Sequence, residues 1–79
     1  MSSLTKAYTA MATKVMFEES KMIVLLSDGR EVAVPIDWFP KLRDASETER
    51  NHWRLIGNGQ GIHWPDLDED VSVSGLLQG

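Results

Sequence analysis

Two histidines and a run of carboxylates are the groups in this chain best equipped for chemistry. Most of them fall in one stretch, Leu55 to Asp70, which reads L-I-G-N-G-Q-G-I-H-W-P-D-L-D-E-D. An imidazole can ligate a metal or act as a general base near neutral pH. His52 and His63 lack the company those roles need. The chain has no cysteine, and no H-x-x-x-H or H-E-x-x-H spacing occurs, so a metal centre is not expected. A nucleophile–His–carboxylate set can assemble from distant positions. The serines here, however, fall in the tails, a helix cap and the C-terminal turn, not in a nucleophile elbow, and an enzyme is not expected.

Two loop motifs in the same stretch fail on inspection. Gly57, Gly59 and Gly61 alternate, which lets the backbone turn where side chains would clash. A dinucleotide fingerprint needs a further glycine three residues after the second one, and that position is Ile62. It also needs a strand before it inside a βαβ unit, whereas this loop follows a predicted helix. Asp66, Asp68 and Asp70 alternate as in a calcium loop. Begun at Asp66, such a loop places its glycine at Val71 and its bidentate glutamate at Leu77, so both requirements fail. A solvated acidic turn is the expectation, and no cofactor is implied. Arg43, Arg50 and Arg54 with Trp53 are the one basic, aromatic cluster. Asp44, Glu47 and Glu49 offset it, and a net charge of −4 repels nucleic acid.

What remains is a surface for another protein. Arg50, Arg54, His63 and Trp64, with Asp66, Asp68, Glu69 and Asp70, form the candidate contact surface. An acidic turn speeds encounter with a basic partner. Two other readings stand beside it. One is a small-ligand-binding or enzymatic pocket under the glycine loop, with His63 as its polar group. The other is a homodimer joined through an edge strand that ends at Pro35.

The elements that must position these residues read as a small α+β domain. Thr13–Phe17, Met22–Leu26 and Glu31–Ile36 predict a three-stranded antiparallel meander. The middle run is apolar throughout, as suits a central strand, and Asp28-Gly29 supplies a tight turn of two residues. Trp38 and Phe39 are adjacent, so in an extended chain they cannot both face one core. Core packing is the expectation for this pair, with a binding anchor as the alternative. Ser46-x-x-Glu49 is a capping box opening one packed helix from about Glu47 to Trp53, which Trp53 anchors on the sheet. Glu47 lies three residues before Arg50, the spacing of a local ion pair. Ile62 and Trp64 share the apolar face of a short extra strand or arm, with His63 opposite. Val71–Val73 reads as a last short strand and Ser74–Leu77 as a C-terminal helical turn that closes the core.

Residues 1–12 predict a flexible arm and 13–79 a single domain; Leu4, Tyr8 and Met11 could also form an ordered turn. A domain of 79 residues buries roughly 60% of its unfolded surface, so modest stability is expected. With no cysteine, no secretory leader and no apolar run near the ~20 residues of a membrane span, a cytoplasmic protein is the expectation.

Three blocks carry a resemblance: L-S-D-G-R-E-V-A-V-P-I (Leu26 to Ile36), W-F-P-K-L (Trp38 to Leu42) and W-R-L-I-G-N-G-Q-G-I-H-W-P-D-L-D-E-D-V-S-V-S-G-L-L (Trp53 to Leu77). With them, roughly residues 14 to 77 resemble a bacterial family of small proteins catalogued as domain of unknown function 2442. The resemblance implies a small α+β domain and supplies no catalytic residues. Some members are joined to a helix-turn-helix domain, and some are encoded beside a small partner protein, as in toxin–antitoxin pairs. It thus implies a non-enzymatic module that binds a small protein, as an antidote or regulatory partner does. This chain has no room for the helix-turn-helix portion, so direct DNA binding is not expected.

Overall fold

The computed structural model describes residues 10–78. The expected meander is present: β1 (Ala12–Glu18), β2 (Lys21–Leu26) and β3 (Glu31–Pro35) pair antiparallel in that order. β2 is central and apolar, and Met22 and Val24 are fully buried. The loop between β2 and β3 is one residue longer than the two-residue turn expected. Leu26 N donates to Arg30 O at 2.9 Å and Gly29 N to Leu26 O at 3.1 Å, leaving Ser27, Asp28 and Gly29 as the loop. Only Gly29 takes a positive φ, +93°. This is a turn closed by one left-handed glycine, the usual three-residue hairpin. Asp28 serves it differently, accepting the Arg30 amide at 3.1 Å on one carboxylate oxygen and Arg30 Nε at 2.7 Å on the other. That amide holds the Asp28 carboxyl below the usual carboxylate range.

After Pro35 the chain makes a 3-10 turn, Ile36–Trp38, and then α1 (Pro40–Arg43), which Pro40 opens. The capping box forms as read. Ser46 Oγ accepts from Glu49 N at 3.1 Å, and Glu49 Oε1 accepts from Ser46 N at 2.9 Å. The helix it opens, α2 (Glu47–Asn51), stops two residues before Trp53 and buries none of its own residues. Strand pairing of the next segment takes the chain out of helix, so Trp53 is a half-buried connector beside the core. A helix of five residues without a buried face leans on its cap. Ser46→Ala should therefore lower unfolding free energy by about 1 kcal/mol in urea titration, with the slope unchanged.

The larger difference from expectation is a second sheet. β4 (Arg54–Ile56), β5 (Gly61–Trp64) and β6 (Glu69–Ser72) pair antiparallel in the order β4-β5-β6. The short extra strand or arm expected at Ile62 and Trp64 is the central strand of this sheet, and the capped helix is one of three short helices, of which the last is the expected C-terminal helical turn. The last of these, α3 (Val73–Gln78), starts where a strand was expected to end. Ser72 Oγ accepts from Gly75 N at 3.0 Å and so caps it. One core joins the sheets: Val15, Met22 and Val24 of the first meet Ile62, Trp64 and Val71 of the second. Leu42 of α1 and Leu76 of α3 close it, while Leu77 stays exposed. Ala10 and Ala12 also belong to this core, and Met11 O accepts from Ser27 N at 2.7 Å. Leu4 and Tyr8 lie outside the described residues.

Candidate functional site

The second sheet carries most of the residues singled out in the sequence, and its alternation sorts them. On β5, Ile62 and Trp64 are fully buried, and His63 points to the opposite face. Register places Arg54 of β4, His63 of β5 and Asp70 of β6 side by side across the sheet. His63 Nδ1 lies 2.5 Å from Asp70 Oδ1 in this row. A second imidazole–carboxylate pair joins His52, the C-cap of α2, to Asp66, with Nδ1 and Oδ2 2.8 Å apart. Asp68, at a left-handed φ of 52°, ends the turn into β6. Its carbonyl accepts from Lys41 Nζ at 3.3 Å, and the same ammonium lies 4.0 Å from Glu69 Oε1.

Two members of the expected surface belong elsewhere. Trp64 is fully buried, and its indole Nε1 donates to Arg50 O at 2.9 Å; a bulky apolar ring between two sheets is core, not contact surface. Arg50 makes no local ion pair. Its Nε donates to Leu42 O at 2.8 Å and its Nη2 to Arg43 O at 2.6 Å, while the guanidinium lies 5.8 Å from the Phe17 ring centre. It ties α2 to the last turn of α1, whose terminal carbonyls need donors. Arg54, His63 and Asp70 share the outer face of the second sheet, Asp66 and Asp68 lie in the turn after β5, and Glu69, opposite Trp64, faces the other side toward Lys41.

A groove that the sequence did not announce lies beside them. Asp70, Val71 and Ser72 form its floor along β6, and Trp38, Phe39, Gly75 and Leu76 wall it, enclosing about 570 Å³. Trp38 is 52% exposed here, while Phe39 packs against the core. The sequence signal was the adjacency of the two rings, which forces one of them outward. Pro40 opens α1, and Trp38, at the end of the 3-10 turn before it, lines the groove across from β6. By contrast, the hollow at the glycine loop is a shallow 250 Å³ lined by Ile56, Gly57, Gln60, Gly61 and Ser72, and His63 does not reach it.

Among the described residues, no three His, Cys, Asp or Glu side chains converge to hold a metal ion. The carboxyl group of Asp44, held below its usual range by the hydrogen-bonded Arg43 guanidinium, lies outside the groove. No helix among the described residues is long and apolar enough to cross a membrane.

The fold recurs in two solved structures. A crystal structure of a protein of unknown function from Rhodospirillum rubrum is 31% identical over 91% of this chain and 89% of that one, with a TM-score of 0.77. A solution structure of an uncharacterised protein from Chromobacterium violaceum is similar in fold, with a TM-score of 0.72 and 23% identity over 86% of this chain and 64% of that one. No curated protein matches the sequence. A family model described as protein of unknown function (DUF2442) matches residues 12–79, across both sheets and the groove, and to that family the chain belongs.

Proposed function

We propose that this protein is a non-enzymatic interaction module that takes a basic segment of another protein into the groove between Trp38 and β6. One observation carries the reading: an indole 52% exposed above an apolar groove in a chain of 79 residues. A small domain gains by burying a tryptophan, and exposed aromatic anchors beside pockets are the residues that dominate protein interfaces. Charge complements it. Asp70 lies on the groove floor, and Asp66, Asp68 and Glu69 crowd the turn and strand start beside it, which favours a partner rich in lysine and arginine. The biological form we favour is the antidote or regulatory half of a toxin–antitoxin-like pair, in keeping with the small partner proteins that the resemblance implies.

The test is affinity purification of the tagged protein from its native host, followed by mass spectrometry and a titration of the partner recovered. A small basic protein in stoichiometric amount is expected. Trp38→Ala should weaken its binding at least tenfold while leaving thermal stability nearly unchanged, because the ring is half in water. Equal affinity of wild type and W38A would remove the groove from the reading.

A further inference from the structure

We propose that the partner segment adds to β6 as a further strand, pairing backbone to backbone along the groove. This deepens the interaction-module reading and rests on it. β6 is an edge of the second sheet. Val73 N donates to Gln60 O at 2.9 Å, which makes Gln60 and Val73 a hydrogen-bonded pair at the end of the β5–β6 ladder. Such pairs alternate along an antiparallel ladder, so the next two are Ile62 with Val71 and Trp64 with Glu69. The residues between them, Asp70 and Ser72, therefore turn their amides away from β5. Asp70 does the same with its carbonyl. Both residues line the groove, so these amides, unpaired among the described residues, face the space that Trp38 overhangs.

The other edges are less suited to a visitor. β3 ends in Pro35, which has no N–H to give, and β4 is only three residues long. The start of β1 is already met by the glycine loop, where Ala12 O lies beside Gly59. Among the described residues, β6 alone combines free amides with an apolar wall.

Charge decides between occupants. A second copy laid along β6 would bring one chain's acidic edge up to the other's, and like charges on neighbouring edges oppose that approach. Lys41 partly offsets Glu69 and His63 partners Asp70, yet the Asp70 side chain is still 70% exposed. The acidic edge thus rejects itself and admits an extended segment in which lysine or arginine alternates with apolar residues. Main-chain bonds then supply affinity, and Trp38 and Leu76 receive one apolar side chain.

The probe is a synthetic octapeptide of alternating lysine and valine, titrated into the ¹⁵N-labelled full chain and followed by NMR and amide hydrogen exchange. In the free protein the Asp70 and Ser72 amides should exchange quickly. On saturation both should slow at least tenfold, with shifts at the Trp38 indole. A glutamate–valine peptide should not bind, and alternate N-methylation of the lysine peptide should weaken it at least tenfold. Binding without protection of Asp70 and Ser72, or without sensitivity to N-methylation, would overturn strand addition and leave the interaction-module reading standing. So would no saturable binding at millimolar peptide, because the effect of W38A on the co-purified partner tests that reading separately. Protection of the two amides that grows with protein concentration alone would assign the edge to a second copy and overturn the proposal.

Discussion

Trp64→Ala is expected to leave the protein largely unfolded at 25 °C. The side chain is the largest among those fully buried, on the central strand of the second sheet, where it meets the core shared by both sheets. Truncating such a residue to alanine costs about 3–5 kcal/mol through lost transfer energy and the cavity left behind. A second cost comes from the hydrogen bond. Indole Nε1 donates to Arg50 O, a carbonyl in the last turn of α2 that has no helical donor because the helix stops at Asn51. Leaving that acceptor unpaired adds about 1–3 kcal/mol. Against these stands a total stability of about 4–12 kcal/mol, on the usual scale per residue for a chain of this length. Trp64→Phe separates the two contributions, since it keeps most of the volume and loses the donor. It should remain folded and drop by about 1–3 kcal/mol. Circular dichroism in a urea titration reads both variants without relying on tryptophan fluorescence. A folded W64A with a midpoint near wild type would show that the sheets do not depend on this ring.

That role for Trp64 was half legible in the sequence. Alternation of Ile62, His63 and Trp64 gave the inward and outward faces correctly, because side-chain direction along a strand is a local property. Placing Trp64 on a contact surface contradicted that alternation, and the burial follows the alternation. The first sheet was legible for the same local reason: its strands run five to seven residues, and Asp28-Gly29 punctuates them. β4 was not legible. Three residues, R-L-I, carry too little period to register as a strand, and all three are exposed. It exists because β5 offers it a ladder, a contact between distant residues that no local pattern encodes. Arg50 failed similarly. Sequence spacing pairs it with Glu47, whereas the fold brings the carbonyls of Leu42 and Arg43 within its reach. Charged donors favour orphan carbonyls at a half-buried site over an exposed carboxylate, whose pairing is worth only about 0–1 kcal/mol. The candidate site divides along the same line. The Arg54–His63–Asp70 row needed β4 in place before its members could be seen as neighbours. The groove needed α3 and Trp38 folded over β6.

The glycine loop gives the second large effect, and one comparison isolates its cause. Gly59 and Gly29 have nearly the same backbone angle, φ +99° and +93°. A side chain at either position pays for left-handed backbone, on the order of 1–3 kcal/mol. Their surroundings differ. A Cβ on Gly29 would meet nothing within 4 Å, whereas one on Gly59 would lie 2.5 Å from Ala12 O and 2.9 Å from Met11 Cβ. The first of these is backbone at the start of β1, held by pairing to Leu26, so it cannot swing aside as a side-chain tip would. Gly29→Ala is therefore expected to cost about 1–3 kcal/mol, the strain alone. Gly59→Ala should cost more by about 1–3 kcal/mol, the usual penalty for forcing extra volume into packed surroundings. The difference between the two urea midpoints, at equal slope, measures how firmly the second sheet's loop is seated against the first strand. Hydrogen exchange adds the location: in G59A the amides of Met11 and Ser27, which tie the entry to β1, should lose protection while those at the centre of β2 keep theirs. Equal costs at the two glycines would mean that the loop lifts freely away from β1, and that the two sheets are joined through Trp64 and its neighbours rather than at this contact.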